Sequence, residues 1–139
     1  MSRTIFVCVH CEAEVTRPLE RLEDMTQLRT AVGDNYYDPP RLIPAGCYAL
    51  SDTLVAAGID LESVSFIASG EVLFNSDDLC DQHPTLQNTK DRGCCGYGGN
   101  MGCNWFCING HAIGTEVSDC CMVNYCRFSL TELREIVLE

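Results

Sequence analysis

Hydrophobic and polar positions change period several times along this chain. Thr4, Ile5, Phe6 and Val7 form a β-prone run, residues 8–12 read as a turn, and Val15 with Thr16 resumes an extended segment. Residues 4–19 therefore predict strand, turn, strand. After Pro18, which can open a helix, Leu19, Leu22 and Met25 recur at helical spacing and predict a short helix over 19–28. Gly33, Asp34, Asn35, Pro39, Pro40 and Pro44 then interrupt regular structure by freeing or fixing φ, so residues 33–44 read as a loop. Ser51 is placed to cap a helix through Ala57, with Gly58 as its left-handed exit. Val64, Phe66 and Ala68 alternate with polar neighbours, and a Ser69-Gly70 turn leads to Val72, Leu73 and Phe74, a hairpin pattern. Residues 75–102 are rich in Asn, Asp and Gly, an irregular stretch long enough to need pinning in a compact domain. Residues 112–117 read as a strand, and Ser129-Leu-Thr-Glu132 has the spacing of a capping box, which predicts a final helix through Leu138.

The 139 residues fit one domain, and folding at this size removes about two thirds of the unfolded chain's surface from water. A core is thus within reach without covalent help, yet the chain carries 11 cysteines, at 8, 11, 47, 80, 94, 95, 103, 107, 120, 121 and 126. Disulfides and metal are the two physical explanations. Ile5 to Val7 is too short an apolar run for the core of a secretory signal. No apolar stretch approaches the roughly 18 residues that cross a bilayer. A cytoplasmic, reducing location with no membrane partner is therefore expected, and it disfavours disulfides. The odd cysteine count points the same way. Metal becomes the leading explanation, with some thiols serving as small buried hydrophobes, Cys47 and Cys80 first among them.

The net charge of −11 excludes a sequence-independent hold on nucleic acid, which needs a basic face to displace counterions from phosphates. Between Arg41 and Lys90 there is no Lys or Arg, while Asp52, Asp60, Glu62, Glu71, Asp77, Asp78 and Asp81 all carry negative charge. A solvated face accounts for most such stretches. The sharper expectation is a docking surface for a basic protein partner.

Cys8-Val-His-Cys11 is the clearest motif, because two intervening residues let a tight turn aim both sulfurs at one tetrahedral zinc ion. It is half a site. The other half must come from 94–126, which holds seven cysteines and His111. There Cys107-Ile-Asn-Gly-His111 supplies a turn glycine between a thiol and an imidazole. The expected ligand pool is Cys8, Cys11, Cys94, Cys95, Cys107 and Cys120, with His111 in reserve, for one or two zinc ions. Cys103, Cys121 and Cys126 divide evenly between core and metal, and His10 and His83 read as solvent-facing.

Cys8-x-x-Cys11, Val15-Thr16-Arg17-Pro18-Leu19, Gly93-Cys94-Cys95-Gly96 and Gly114-Thr115-Glu116-Val117-Ser118-Asp119-Cys120 together resemble a family of small uncharacterised bacterial cysteine-rich zinc-binding proteins. The resemblance covers both ends of the chain and little between, and it implies metal binding without an activity. Where that family's downstream knuckle reads Cys-x-x-Cys-Gly, this chain has Cys107-Ile-Asn-Gly-His111. Either His111 substitutes for the missing thiol, or Cys94, Cys95 or Cys103 completes the shell.

Other chemistries fit less of the chain. A strand followed by Cys8-x-x-Cys11 has the order of a thioredoxin-like thiol–disulfide oxidoreductase, the main alternative function, but Pro18 would interrupt a helix starting at the motif, and the distant cysteines stay unexplained. His10-Cys11-Glu12 contains the H-x-E fragment of zinc deaminases without their Pro-Cys-x-x-Cys. The glycines of 93–102 end on no Lys-Ser or Lys-Thr, so they form no phosphate loop. The sequence predicts a single α+β domain over 1–139. A zinc-ribbon-like β element, with knuckle halves at 4–19 and 94–126, joins the termini, and a larger α/β insertion occupies 20–93. The expected function is a zinc-stabilised, non-enzymatic binding protein, in its most concrete form an acidic immunity-type inhibitor of a basic partner.

Overall fold

The computed structural model describes residues 2–30, 39–61, 64, 67–80, 85–86, 96–99, 102–119 and 122–138. Among them are nine strands: β1 (Arg3–Cys8), β2 (Glu20–Arg21), β3 (Cys47–Leu50), β4 (Glu71–Phe74), β5 (Thr85–Leu86), β6 (Trp105–Phe106), β7 (Ala112–Val117), β8 (Tyr125–Ser129) and β9 (Leu133–Leu138). The one α-helix, α1 (Ser51–Ala56), is six residues long, and 3-10 turns cover Met25–Gln27 and Ser76–Asp78. Seven strands form a sheet in the order β2-β3-β4-β8-β7-β6-β5, antiparallel except for β2 and β3, while β1 and β9 make a separate antiparallel pair. The protein is therefore mainly β. The expected α+β class with a larger α/β insertion is overturned by these strands.

The reasons are local. Leu19 and Leu22 are buried as expected, but Leu19 bridges Thr4 and the next two residues pair in parallel with Cys47 and Tyr48, so the chain from 19 spends its backbone bonds on neighbours. Asp24 then caps only a three-residue turn. At the C-terminus, the Ser129 hydroxyl accepts the Thr131 amide (3.3 Å) and its carbonyl accepts the Glu132 amide (3.1 Å). Ser129-x-x-Glu132 thus makes a turn instead of opening a helix, and β9 runs back along the whole of β1. Ser51 begins α1, but its hydroxyl accepts the Glu71 amide (3.0 Å) and serves the start of β4. Gly58 ends the helix at φ +77°. The expected hairpin keeps its second arm as β4; its first arm falls on residues 64–68, of which 65–66 lie outside the described residues and the rest form no strand, and β4 pairs with β3 and β8 instead.

Two hydrophobic clusters cover the two faces of the large sheet. Val72 and Phe74 of β4 join the first with Phe6, Cys8, Tyr48, Cys107, Ile113, Cys126 and Phe128; Leu73 joins the second with Leu42, Ile43, Leu54, Val117 and Tyr125. Burial on both faces explains the unbroken Val-Leu-Phe run. A bulge sits between β6 and β7, where Trp105 opposes Gly114, Phe106 opposes Ala112, and Ile113 is the extra residue. Ile113 turns into the first cluster while Val117 of the same strand packs in the second. Among the described residues no helix is long and apolar enough to cross a membrane.

Candidate metal centre

Two turns meet at one edge of the first cluster. Cys8 ends β1 and is fully buried; its amide donates to the Ala13 carbonyl (2.9 Å), and its carbonyl accepts the Glu12 amide (2.8 Å). Glu12 closes this turn at φ +63°, the only positive φ away from glycine among the described residues. Cys107 follows β6 and His111 precedes β7, and between them the Cys107 amide donates to the His111 carbonyl (2.9 Å) while Gly110, at φ +89°, donates to Cys107 (2.9 Å). The left-handed conformation explains the glycine there. Each turn thus carries one ligand at its entrance and one near its exit.

The ligand atoms of Cys8, Cys11, Cys107 and His111 all lie within 4.8 Å of one another. Cys11 Sγ and Cys107 Sγ are 3.7 Å apart, Cys8 Sγ and His111 Nδ1 are 3.7 Å apart, and Cys107 Sγ and His111 Nδ1 are 3.1 Å apart. Ligands on a tetrahedron ~2.3 Å from a central ion stand ~3.8 Å from one another. The group is thus spaced to hold a metal ion. Comparison with known proteins finds no matching family model, no matching curated protein and no matching solved structure. The site is therefore read from its own atoms.

Those atoms divide the thiols by environment. Burial pushes the Cys8 thiol up to about 11, so it holds its proton at neutral pH unless a cation replaces it. Cys11, half-buried, is pulled down to about 6, first by the Asn109 side chain, then by the Ala13 backbone, with smaller help from Cys107 and His111. One ready thiolate beside a thiol that burial keeps protonated suits an ion that binds the first and displaces the proton of the second.

Four of the expected ligands, Cys8, Cys11, Cys107 and His111, are brought together, and His111 occupies the place where a fourth thiol was the alternative. Cys94, Cys95 and Cys120 lie outside the described residues, as do Cys121 and His83. Cys103 is exposed and takes no part in the group, and Cys126 is fully buried in the first cluster. Cys47 is half-buried against the second cluster, and burial, with Glu20 and Asp78 nearby, raises its thiol.

Sequence reasoning missed two side chains beside the site and one that anchors β7. Asn109 acts on Cys11, and its place inside Cys107-Ile-Asn-Gly-His111 was the available signal. His10 is solvent-exposed as expected, but its ring also lies 4.9 Å from that of His111, and its Nε2 is 2.8 Å from Glu132 Oε2. Asn104, fully buried, accepts the Glu116 amide (2.7 Å) and donates to the Glu116 carbonyl (2.9 Å), which fastens β7 to the chain before β6. The Cys8-x-x-Cys11 turn leads into bridges at Glu14 and Thr16 and no helix.

Proposed function

We propose that the protein is a zinc-stabilised binding protein whose metal is structural, held by Cys8, Cys11, Cys107 and His111. The supporting observation is the tetrahedral spacing of three sulfurs and one imidazole nitrogen drawn from two turns about a hundred residues apart in the chain. Three thiolates and an imidazole at this spacing match the ligand softness and geometry of zinc. Four protein ligands leave no position for a water or substrate, which separates a structural site from a catalytic one. The thiol–disulfide reading uses Cys8 and Cys11 but gives Cys107 and His111 no role, although both lie within the same 4.8 Å group.

The partner in this reading is a basic protein, as the charge of −11 favours. Elemental analysis of the purified, reduced protein tests the metal assignment. Zinc bound near one per chain, lost together with protection of Cys11 from alkylation in Cys107→Ser, is the expected result. Reduced protein without metal would overturn the assignment, iron in its place would overturn the choice of zinc, and turnover of insulin disulfides by the metal-loaded protein would favour the oxidoreductase.

A further inference from the structure

Among the described residues, the acids of the 42–89 stretch do not all turn to solvent. Glu71 is buried and paired with Arg127 (2.9 Å), Asp78 is buried and accepts the Gly46 amide (2.7 Å), and Asp52 accepts the Ser69 hydroxyl (2.9 Å) and the Gly70 amide (3.2 Å). Asp52, Asp60 and Asp77 are exposed, and a further set of open carboxylates stands beside an open strand edge.

That edge belongs to β9. On β1, the Thr4 amide and carbonyl bond Leu19, the Phe6 carbonyl accepts the Val15 amide, the Phe6 amide donates to the Thr16 hydroxyl, and the Cys8 amide bonds Ala13. Thr4, Phe6 and Cys8 therefore turn their main-chain groups away from β9, and Arg3, Ile5 and Val7 turn theirs toward it. Antiparallel pairing alternates in the same way on the partner strand. In the observed register Arg134, Ile136 and Leu138 bond β1, which leaves the amides and carbonyls of Leu133, Glu135 and Val137 on the outer edge; Leu133 is buried, while Glu135 and Val137 are exposed. Among the described residues no strand pairs with that edge.

Beside it runs an open groove of about 660 Å³ whose lining includes Thr4, Glu20, Glu23, Asp24, Glu135 and Val137. Glu23, Asp24 and Glu135 are exposed and Glu20 half-exposed. Asp24 accepts both the amide and the hydroxyl of Thr26, which lowers its carboxyl and keeps it charged. Arg21, the one base of the lining, donates to Thr53 (3.1 Å). A strand added along β9 shares its pleat, so its side chains opposite Glu135 and Val137 face the groove.

We propose that the outer edge of β9 receives an extended basic segment of a partner protein as a third strand, with alternate Lys or Arg side chains set into the carboxylate groove. Main-chain bonds at Glu135 and Val137 supply the hold, and the groove selects the charge. The inference rests on the basic-partner reading above and is independent of the metal assignment, because its test reads peptide binding on protein whose metal content is measured separately.

The test titrates full-length, metal-loaded protein at low ionic strength with an end-blocked octapeptide of alternating Lys and Thr and with its Glu and Thr counterpart. Affinity and amide hydrogen exchange are both read. The lysine peptide is expected to bind and to protect the Glu135 and Val137 amides, and the glutamate peptide to do neither. Val137→Pro removes an outward donor and no bond to β1, so it should weaken binding about tenfold or more while the melting temperature holds. Combined Glu20→Gln, Glu23→Gln and Glu135→Gln should weaken it by about tenfold and reduce its salt dependence. Equal binding of the two peptides, no binding of the lysine peptide, no protection of the two amides, or full affinity in the triple variant would each overturn the proposal. Full affinity in Val137→Pro would overturn the added strand.

Discussion

Tyr125 shows at the scale of one residue how burial and hydrogen bonding oppose each other in this core. Its ring packs in the second cluster, and among the described residues its hydroxyl, fully buried, has no partner. A buried hydroxyl without a bond costs about 1–3 kcal/mol against one that keeps its water. Tyr125→Phe should therefore stabilise the protein by about 1 kcal/mol at neutral pH, measured by denaturant unfolding. Burial also pushes the phenol up to about 12, with Glu71 adding to the rise and Arg127 opposing it. The folded state then keeps a proton that the unfolded state sheds above pH 10. This contribution is fully present below pH 10 and is lost as pH rises toward 12. Wild type should therefore fall further behind Tyr125→Phe as pH rises from 10 to 12, the gap between them widening across that window; a constant gap would contradict the assignment.

Among the elements, the β7–β8 pair fixes the sheet beneath the metal turn. Gly114 of β7 lies opposite Phe128 of β8, and a Cβ at 114 would overlap the Phe128 ring, which itself packs edge-on against Phe74 at 4.9 Å. Gly114→Ala should cost about 1–3 kcal/mol, as overpacking of a tight core does. Phe128→Leu in the same chain should recover part of that loss, because the two changes share one contact. Additive losses would place the strain elsewhere. Gly114 also shows what the sequence left hidden. Strand β7 was legible from its own residues, as were β1, the run that became β4 and the helix start at Ser51. Elements set by partners were not. Leu19, Leu22 and Met25 have a helical period, and Ser129-x-x-Glu132 has a cap's spacing, yet residues 20–21 and 133–138 become strands because β3 and β1 offer backbone bonds that a short helix cannot match, and only a 3-10 turn remains at Met25–Gln27. Local pattern carries the identity of an element only where its neighbours agree with it.

Over the whole molecule, the same limit governs the metal site. The spacing of Cys8 and Cys11 announces half a shell in four residues, but Cys107 and His111 are chosen by the sheet, which carries the β6–β7 turn to the end of β1 across sequence separations of 96 and 103 residues. Closing such loops costs entropy that hydrophobic contacts of the first cluster, where Phe6 and Cys8 meet Cys107 and Ile113, must offset, joined by any ion the four ligands hold. Ordinary domains are stable by about 5–15 kcal/mol, and an ion at about a thousand times its dissociation constant contributes about 4 kcal/mol. Structural zinc in small domains reaches about 10–16 kcal/mol. Metal should therefore decide whether β1, β6 and β7 stay docked, while the second cluster, which contains no ligand, keeps its own contacts. A strong chelator should lower the melting temperature by about 10 °C or more and speed exchange of the amides of Cys8 and Cys107, with those of Leu73 and Tyr125 much less affected. Adding zinc back should restore both readings, and Cys107→Ser should match the chelated protein and not respond to chelator. An unchanged melting temperature after metal is shown to be gone would mean that hydrophobic packing alone holds the two turns together.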